Sequence, residues 1–476
     1  MNKYRLMLGG ITVVLVLLIA AVVGLGPGKP AGPSLQAGFA AVRITPPPGT
    51  RLSGFGDRDF RPEGAKGIHD DLFVRALYLG QGKTEVLIMG FDLLFFSREE
   101  ADRFKGAIGN RLGLLPSNIL LNTSHTHTGP KVGNWYYTPS DYLYLDELEK
   151  RTVEAAVEAK RRAAGATLRA GETRTSIPLS RRLKDSDGAV QFVPNAAGAK
   201  YDRLPFALLE AQDGSPVCLL FSVACHASTI KGDERAEYVS ADFPGAAAGE
   251  LDRLLGKPCA LFLQGAGGDA KASVIGQGLK EWRAGTWEDV AQAGKTIASE
   301  IQAARASGLK EVQPGLRAGL VEMELPLGPA PGRDELLRVL ERAKPYELET
   351  TAAEKARGLW AEEQLSLIDR GFGLAASAPV LVQGIELGRG LRLVAVEGEL
   401  TSDLGNLIHD HYGGGVTFPL GYSNGARMYL PSSRMIDEGG YEVDSYWEYR
   451  QPAPLAKGVE AHYARALDEL KKVGIE

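Results

Sequence analysis

Short apolar runs recur along the chain, and each is followed by a loop rich in glycine, serine or threonine that contains polar side chains able to bind a metal. Runs of this length that end in turn-forming residues are typical of buried β-strands. Five of them are Val86–Met89 before Gly90 and Asp92, Ile119–Leu121 before SHTHTGP, Cys218–Val223 before His226, Ala260–Leu263 before QGAGGD, and Leu391–Val396 before EGEL. We expect these five strand ends to meet at one crevice.

Segments with helical periodicity separate the strands. Apolar residues recur at the spacing of an amphipathic helix over Arg98–Leu112, Tyr142–Ala164, Trp287–Ala306 and Gly458–Val473. Strands that alternate with helices indicate the α/β class. The charged segment Arg333–Arg370, interrupted at Pro345, predicts a peripheral pair of helices, with a lid over the site as the alternative.

The N-terminal stretch Leu6–Gly26 contains no charged residue and is long enough to span a bilayer as a helix. Lys3 and Arg5 precede it, so the positive-inside rule places the N-terminus in the cytoplasm and the rest of the chain in the periplasm or the extracellular space. We predict a membrane anchor or signal segment at residues 1–26, a Pro/Gly-rich linker at 27–36 and one domain at 37–476. An uncleaved anchor is favoured because no small-x-small cleavage site follows.

Composition excludes several classes of protein. Of the 476 residues, 44% are hydrophobic and 24% are charged, which excludes wholesale disorder, collagen-like repeats and a many-span membrane protein. The net charge of −5 is too small to indicate a nucleic-acid partner. Cys218, Cys225 and Cys259 lie in apolar runs, so we expect buried core residues rather than a disulfide or metal ligands.

The strongest local signal for chemistry is SHTHTGP, in which His125 and His127 stand two positions apart. In an extended segment two such residues lie on one face, and the imidazole nitrogen is a good zinc ligand. The alternative is a pair of loop histidines that make ordinary hydrogen bonds. A metal needs further ligands, and His226 and Glu399 both follow strand-like runs, with Glu397 as the local competitor of Glu399.

The remaining histidines are weaker candidates. They are His69, His409, His411 and His462. The segment His409-Asp410-His411 repeats the spacing of SHTHTGP, but it lies in a helix-like stretch, where residues i and i+2 do not face each other. We therefore do not expect a metal there.

A series of segments, taken in chain order, resembles the neutral/alkaline, non-lysosomal ceramidase family. The segments are GFAAVRITPPPG, SGFGDR, GIHDDLFVRAL, SHTHTGP, CHAS with SADFPG, QGAGGDA, EGEL, and GYSNGARMYLP followed by GGYEV. The resemblance covers about residues 37–445. It implies a mixed β-sheet core flanked by helices, and zinc-dependent hydrolysis of an N-acyl amide bond that releases a fatty acid from sphingosine.

Matching the family motifs residue by residue implies a complete site. The zinc ligands would be His125, His226, Glu399 and Tyr429. As catalytic residues, His127 would contact the substrate or intermediate and Tyr441 would help to hold the scissile amide. Arg181 matches a substrate-binding arginine, although Ser180 precedes it where the family has asparagine. Without the resemblance, packing at a core edge would be the simpler interpretation of Tyr429 and Tyr441.

Lys271 departs from the family pattern, because the family carries a catalytic serine where this chain reads GDAKAS. An ammonium group is not a nucleophile until it loses its proton. As a catalytic residue, Lys271 therefore favours direct attack by a metal-activated water, without an acyl-enzyme. The alternatives are a Lys271 side chain turned to solvent and Ser273 as the nucleophile. The family's C-terminal β-sandwich-like domain is not expected, since only a helix-forming segment follows Tyr441.

The leading hypothesis is an anchored zinc hydrolase that acts outside the cytoplasm on the amide of a lipid-like or other N-acyl substrate. It would touch the membrane through its N-terminal helix and bind no nucleic acid. One alternative is a catalytically impaired relative of neutral ceramidase that binds a metal or a lipid. Another is a hydrolase of phosphoesters or other esters that uses the same metal.

Overall fold

Strands form at all five apolar runs, because each run is buried along its length and packs on both faces. The computed structural model describes residues 34–61, 63–133, 136–347 and 350–476, without the side chains of Asp57 and Asp59. The strands in this part of the chain are β1 (Gln36–Arg43), β2 (Gly67–Ile68), β3 (Phe73–Gln81), β4 (Thr84–Phe91), β5 (Ile119–Thr123), β6 (Ala164–Arg174), β7 (Pro178–Lys184), β8 (Val190–Asn195), β9 (Arg203–Ala211), β10 (Pro216–Val223), β11 (Tyr238–Val239), β12 (Ala260–Gln264), β13 (Ala270–Ala272), β14 (Lys310–Glu311), β15 (Pro314–Pro326), β16 (Ser377–Gly388), β17 (Leu391–Val396), β18 (Glu399–Leu400), β19 (Val416–Leu420) and β20 (Tyr429–Leu430).

Helices begin where the sequence offers capping residues. Ser97 and Glu100 form a capping box before the first helix, and Gly113 ends that helix in the left-handed conformation. The α-helices in the described residues are α1 (Arg98–Leu112), α2 (Pro139–Arg161), α3 (Asp242–Leu255), α4 (Trp287–Ala306), α5 (Arg333–Ala343), α6 (Ala352–Asp369), α7 (Ser402–Tyr412), α8 (Ser433–Glu438), α9 (Tyr441–Asp444) and α10 (Val459–Lys472). Short 3-10 helices are Gly56–Phe60, Pro116–Asn118, Glu234–Glu237, Ser273–Ile275 and Ser445–Tyr449.

The predicted helices agree with the structure. The predictions at Arg98–Leu112 and Trp287–Ala306 are confirmed at both ends, and α2 and α10 differ from their predicted bounds by one to three residues. The predicted pair is also present, since α5 and α6 flank Pro345 and pack together through Leu336 and Trp360.

Two mixed sheets form the centre of the molecule. The larger has the order β12-β10-β9-β6-β1-β3-β4-β5, with β14 also paired to β6, and its parallel pairs are β4 with β5 and β10 with β12. The second has the order β15-β16-β17-β19, in which β17 and β19 are parallel. Smaller sheets are β11-β2, β13-β7-β8 and β18-β20.

The two sheets face each other, with helices outside. One hydrophobic cluster contains Ile88 and Leu220 of the larger sheet together with Leu393 of the second. The next residue, Val394, points to the other face and joins a cluster with α7 and α10. Helices α1 and α2 cover one part of the larger sheet, and α3 and α4 cover another. The predicted mixed α/β core flanked by helices is confirmed, with two facing sheets.

Residues Leu35–Glu476 form one compact unit. Strand β1 begins at Gln36, so the last residue of the predicted linker belongs to the sheet, where it pairs with Gly80. The predicted membrane segment at residues 1–26 lies outside the described residues. In the described part of the chain, no helix combines the length and the apolar character needed to cross a membrane.

Candidate active site

The ends of several strands meet at one point because Asn122, near the end of β5, connects them. Its side-chain oxygen accepts a hydrogen bond from Gln264 N of β12 at 2.7 Å, and its amide nitrogen donates to Gly421 O, just after β19, at 2.8 Å. Gly268 then lets the loop after β12 approach β18, since a Cβ there would lie 2.7 Å from Glu399 O. The loops that follow these strands therefore surround a single space.

A cluster of nitrogen and oxygen atoms lies in that space. Glu399 Oε2 is 3.4 Å from Nε2 of both His125 and His226. His127 Nε2 is 3.2 Å from His125 Nε2, and Tyr429 Oη is 3.1 Å from His226 Nε2. Ring nitrogens of the three histidines lie within 4.8 Å of one another, a spacing at which they could hold a metal ion. The four residues expected as zinc ligands are thus brought together, with His127 beside them.

His125 and His127 do not lie on one face of an extended segment, as the sequence predicted. The backbone at His125 is left-handed, with φ of 61°, so the segment is not an extended strand. The two rings are perpendicular, at 89°, and still direct their Nε2 atoms toward each other. A local turn, rather than strand geometry, makes the histidines converge.

Backbone carbonyls orient two of the rings. Leu94 O lies 3.0 Å from His125 Nδ1, and Gly267 O lies 2.7 Å from His226 Nδ1. A carbonyl can only accept, so Nδ1 carries the proton in both rings and the Nε2 lone pair faces the cluster. His127 differs, because its buried Nδ1 has no hydrogen-bond partner among the described residues.

The buried cluster favours neutral imidazoles beside an ionised carboxylate. Burial, with the charge of Arg181, lowers the pKa of His226 to about 3, and burial also lowers the pKa values of His125 and His127. Burial alone would raise the pKa of Glu399, but the neighbouring rings of His125 and His226 and the hydrogen bond from Tyr449 lower it below its usual range. These are the protonation states that metal ligands require.

Two tyrosines that the sequence analysis missed hold the carboxylate. Tyr449 Oη donates to Glu399 Oε1, and Tyr422 Oη donates to Glu399 Oε2 at 3.2 Å. Tyr422 follows β19 after one glycine, so the same strand-then-loop pattern that indicated Glu399 would have found it. Tyr449 lies in a short 3-10 helix with no such signal.

Arg181 and its neighbour Arg182 share one buried carboxylate. Arg181 Nε donates to Glu442 Oε1 at 2.7 Å, and Arg182 donates to Glu442 Oε2. Arg181 Nη1 lies 3.2 Å from His226 Nε2, and its buried Nη2 has no partner among the described residues. Glu442 was not predicted, although it stands in the GGYEV segment beside Tyr441.

Tyr441 lies at the edge of the cluster. The centre of its ring is 5.5 Å from that of Tyr429, and the residue is 40% exposed, the largest exposure among the predicted site residues. Its hydroxyl donates to Glu448 Oε2 at 3.1 Å. The side chain therefore lines the entrance to the site.

Lys271 is 2% exposed and belongs to β13, so the alternative in which it turns to solvent is wrong. Its Nζ lies 5.4 Å from the centre of the Trp282 ring. Burial, together with the charges of Lys231 and Arg181, lowers the pKa of Lys271 to about 7. Ser273, the alternative nucleophile, does not belong to the described lining of either cavity at the site.

The weaker candidates lie elsewhere and have other partners. Glu397, the competitor of Glu399, forms a buried ion pair with Arg98. His69 stacks on Trp287 at 3.6 Å. The cysteines are free and buried, as expected.

Two cavities meet at the cluster. One, the aromatic cavity, has a volume of about 510 Å³, and its lining includes Phe95, Tyr136, Trp360, Trp447, Tyr449 and three alanines of α6. The other, the cationic cavity, has a volume of about 770 Å³, and its lining includes Arg58, Arg61, Arg181, Lys231 and Lys271. Both include His127, Tyr429 and Tyr441. Helix α6, predicted as peripheral or as a lid, thus forms part of the site wall.

Comparison with solved structures identifies the fold. The crystal structure of neutral ceramidase from Pseudomonas aeruginosa matches 91% of this chain and 73% of its own, with a TM-score of 0.67 and 13% sequence identity. A ceramidase complexed with C2 matches 93% of this chain and 76% of its own, with a TM-score of 0.69 and 14% identity. No family model matches the sequence. No curated protein matches it either. The chain therefore shares the fold of these ceramidases.

Proposed function

We propose that this protein is a zinc-dependent hydrolase that cleaves the amide bond of an N-acyl, lipid-like substrate. The observation behind the proposal is the convergence of three histidines, a carboxylate and a tyrosine at the junction of two cavities, in a fold shared with ceramidases. Buried, neutral histidines beside an ionised glutamate are expensive to maintain unless they bind something.

The donor set suits zinc. His125, His226, Glu399 and Tyr429 would hold the ion, because zinc takes imidazole nitrogen and carboxylate oxygen, and the carbonyl partners of both Nδ1 atoms leave Nε2 available. The orphaned Nδ1 of His127 sets this residue apart from the two carbonyl-anchored histidines. When bound, zinc polarises a carbonyl and lowers the pKa of water.

His127 is suited to moving a proton. It lines both cavities, its Nε2 faces the cluster, and its ring has no carbonyl that fixes the tautomer. In hydrolysis, water oxygen bonds to the acyl carbon, the C–N bond breaks, and a proton reaches the leaving nitrogen. His127 would accept the proton of the water and return it to the amine. The hydroxyl of Tyr441, which donates to Glu448 in this structure, would turn to donate to the carbonyl oxygen when substrate binds.

The aromatic cavity would take the acyl chain. Its rings and the small alanines of α6 form a wall with few charges, and such surfaces bind apolar chains. Its volume of about 510 Å³ is in the range of small-molecule sites. We infer a lipid-like acyl group on this side of the cluster and the amine half of the substrate on the other.

Lys271 supports direct hydrolysis without an acyl-enzyme. The residue is buried at the position where the ceramidase resemblance implies serine, and an amine held among other cations is a poor substitute for a nucleophilic hydroxyl. Trapping tests this point, since an acyl group captured on Ser273 or Lys271 by mass spectrometry would contradict it.

The test of function is release of fatty acid from N-lauroyl amides by the purified full chain, with and without a chelator. We expect release that a chelator abolishes and added zinc restores. Binding of metal and lipid with no release at any pH would instead support the alternative of an impaired relative. Faster cleavage of matched lauroyl esters or phosphoesters would redirect the assignment to that chemistry.

We further propose that the domain acts outside the cytoplasm, anchored through residues 1–26. The charge-free stretch Leu6–Gly26 after Lys3 and Arg5 supports this orientation. Alkaline phosphatase fused after residue 40 should be active in a bacterial host. An inactive phosphatase fusion together with a fluorescent cytoplasmic reporter at the same site would reverse the orientation.

A further inference from the structure

The cationic cavity contains positive side chains that lie close together. Arg181 Cζ is 4.7 Å from the centre of the Phe192 ring, and Lys231 Nζ is 5.9 Å from the same centre. Lys271 lines the same cavity from β13, the strand that pairs with the Arg181 strand β7. These three side chains thus line one space, which adjoins the aromatic cavity at His127, Tyr429 and Tyr441.

Acidic side chains do not neutralise the two lysines of this group. Among the described residues, neither Lys231 nor Lys271 has a carboxylate within the 4.0 Å of an ion pair. The two acids that line the cavity are engaged elsewhere. They are Asp233, paired with Arg235, and Glu237, paired with Lys66. The charges of Lys231 and Lys271 are therefore available to a ligand.

Arg181 adds an unused hydrogen-bond donor. It is 2% exposed, its carboxylate partner Glu442 is shared with Arg182, and its Nη2 has no partner among the described residues. A buried guanidinium nitrogen without an acceptor is costly, and an acceptor supplied by a ligand would remove that cost. Lys271 is equally buried, and no ion-pair partner is found for it among the described residues.

We infer that the cationic cavity binds an anionic group on the amine half of the substrate, next to the scissile amide. The inference rests on the proposed hydrolase function, and it names the substrate class as N-acyl compounds with a negatively charged head group. A neutral, hydroxylated head group would leave the ammonium of Lys271 without a partner of opposite charge and would offer Arg181 Nη2 only a neutral acceptor. An anion satisfies both through charge-assisted hydrogen bonds, while Lys231, at the exposed mouth, attracts it from solvent.

The test compares ligands that differ only in charge. N-lauroylglycine carries a carboxylate where N-lauroylglycinamide carries a neutral amide of nearly the same shape. Calorimetry on the purified full chain with zinc added should show at least about tenfold tighter binding of the carboxylate. N-lauroylethanolamine phosphate against N-lauroylethanolamine repeats the comparison with a phosphate and shows which anion is preferred.

Lys271→Met and Lys231→Met should each reduce the carboxylate preference, the ratio of the glycinamide and carboxylate dissociation constants, by about fivefold to tenfold. Lys472→Met is the matched control and should leave both affinities unchanged, because Lys472 lies on the exposed face of α10 and pairs with Glu469. If Lys271→Met fails to fold, as judged by its thermal melt, Lys231→Met tests the same point from an exposed position.

Equal binding of the carboxylate and the carboxamide by the unaltered protein, or an unchanged preference in Lys231→Met and Lys271→Met, would overturn the inference. Laurate release is measured separately. Release from both glycine compounds without a binding preference would keep the hydrolase and reject the anionic head group. A clear preference without release of laurate from any compound would keep the binding site and reject the hydrolase.

Discussion

Two segments of this chain place histidines two positions apart, and the fold uses them differently. His125 and His127 stand in a loop where the backbone is left-handed at His125, and their Nε2 atoms approach to 3.2 Å. His409 and His411 stand in helix α7 and point to different neighbours, with Nε2 of His409 3.9 Å from Glu172 and Nε2 of His411 3.3 Å from Asp468. Equal spacing in sequence therefore carries no fixed meaning until the backbone conformation is known.

The two histidine pairs also differ in burial and in the residues around them. The loop pair is buried and its members meet His226 and Glu399, whereas the helical pair is half-buried beside solvated carboxylates. Burial lowers the cost of metal binding only when the other ligands are already in place, because each ligand then gives up little freedom. The loop site meets that condition and the helix does not.

The sharpest test of this comparison removes one histidine from each pair. His125→Ala should lower zinc affinity about 1,000-fold, or about 4 kcal/mol, because a ligand is lost from a site with few substitutes. His409→Ala should leave zinc affinity unchanged. Competition with a chromophoric chelator measures both. Equal zinc affinity in the His125→Ala variant and the unaltered protein would show that His125 is not a zinc ligand.

The two glutamates of the EGEL segment should also differ in role, Glu397 in the stability of the fold and Glu399 in zinc binding. Glu397→Gln should destabilise the fold by about 3 kcal/mol, since it leaves Arg98 without its buried partner. Glu399→Gln should instead weaken zinc binding, with a smaller effect on the stability of the metal-free chain. Urea denaturation and zinc titration of both variants separate the roles. Matching losses in both measurements would show that the two glutamates act as one network.

Acidification should distinguish the buried histidines in the metal-free protein. The pKa of His226 is about 3 when folded and near 6.5 when unfolded, so the unfolded chain takes up the proton first as the pH falls. Stability contributed by neutral His226 is present above pH 6.5 and is lost as the pH falls toward 3. Between pH 7 and pH 5 the loss should be about 2 kcal/mol. Between pH 7 and pH 5, the urea midpoint of unfolding should fall less steeply in His226→Asn than in the unaltered protein. In His409→Asn it should fall as steeply as in the unaltered protein.

The smallest expected effect concerns the support of Glu399. Tyr449→Phe removes a hydroxyl that donates to Glu399 Oε1 and should weaken zinc binding about tenfold, or about 1.4 kcal/mol. Tyr463→Phe is the matched control, because Tyr463 is also buried but its hydroxyl has no hydrogen-bond partner among the described residues. An unchanged zinc affinity in Tyr449→Phe would show that the carboxylate is held without this bond.

Much of the fold was predictable because its signals are local. The helices at Arg98–Leu112 and Trp287–Ala306 follow from amphipathic periodicity and capping residues, and the five buried strands follow from short apolar runs. Helix α3 was not predicted, and it contains Pro244 and Gly245 near its start, two residues that favour turns. The second sheet was not predicted, since its edge strand β15 is half-exposed along its length and is held by pairing with β16.

The same division applies to the site. The sequence by itself determined which residue types stand at strand ends: His125, His127, His226 and Glu399 follow apolar runs, and that order along the chain is enough to predict a metal site. Only the tertiary structure decided that Tyr422, Tyr449 and Glu442 complete the site and that Lys271 turns inward. Hydrogen bonds between residues far apart in the chain depend on how sheets and loops pack, and no local pattern records that packing.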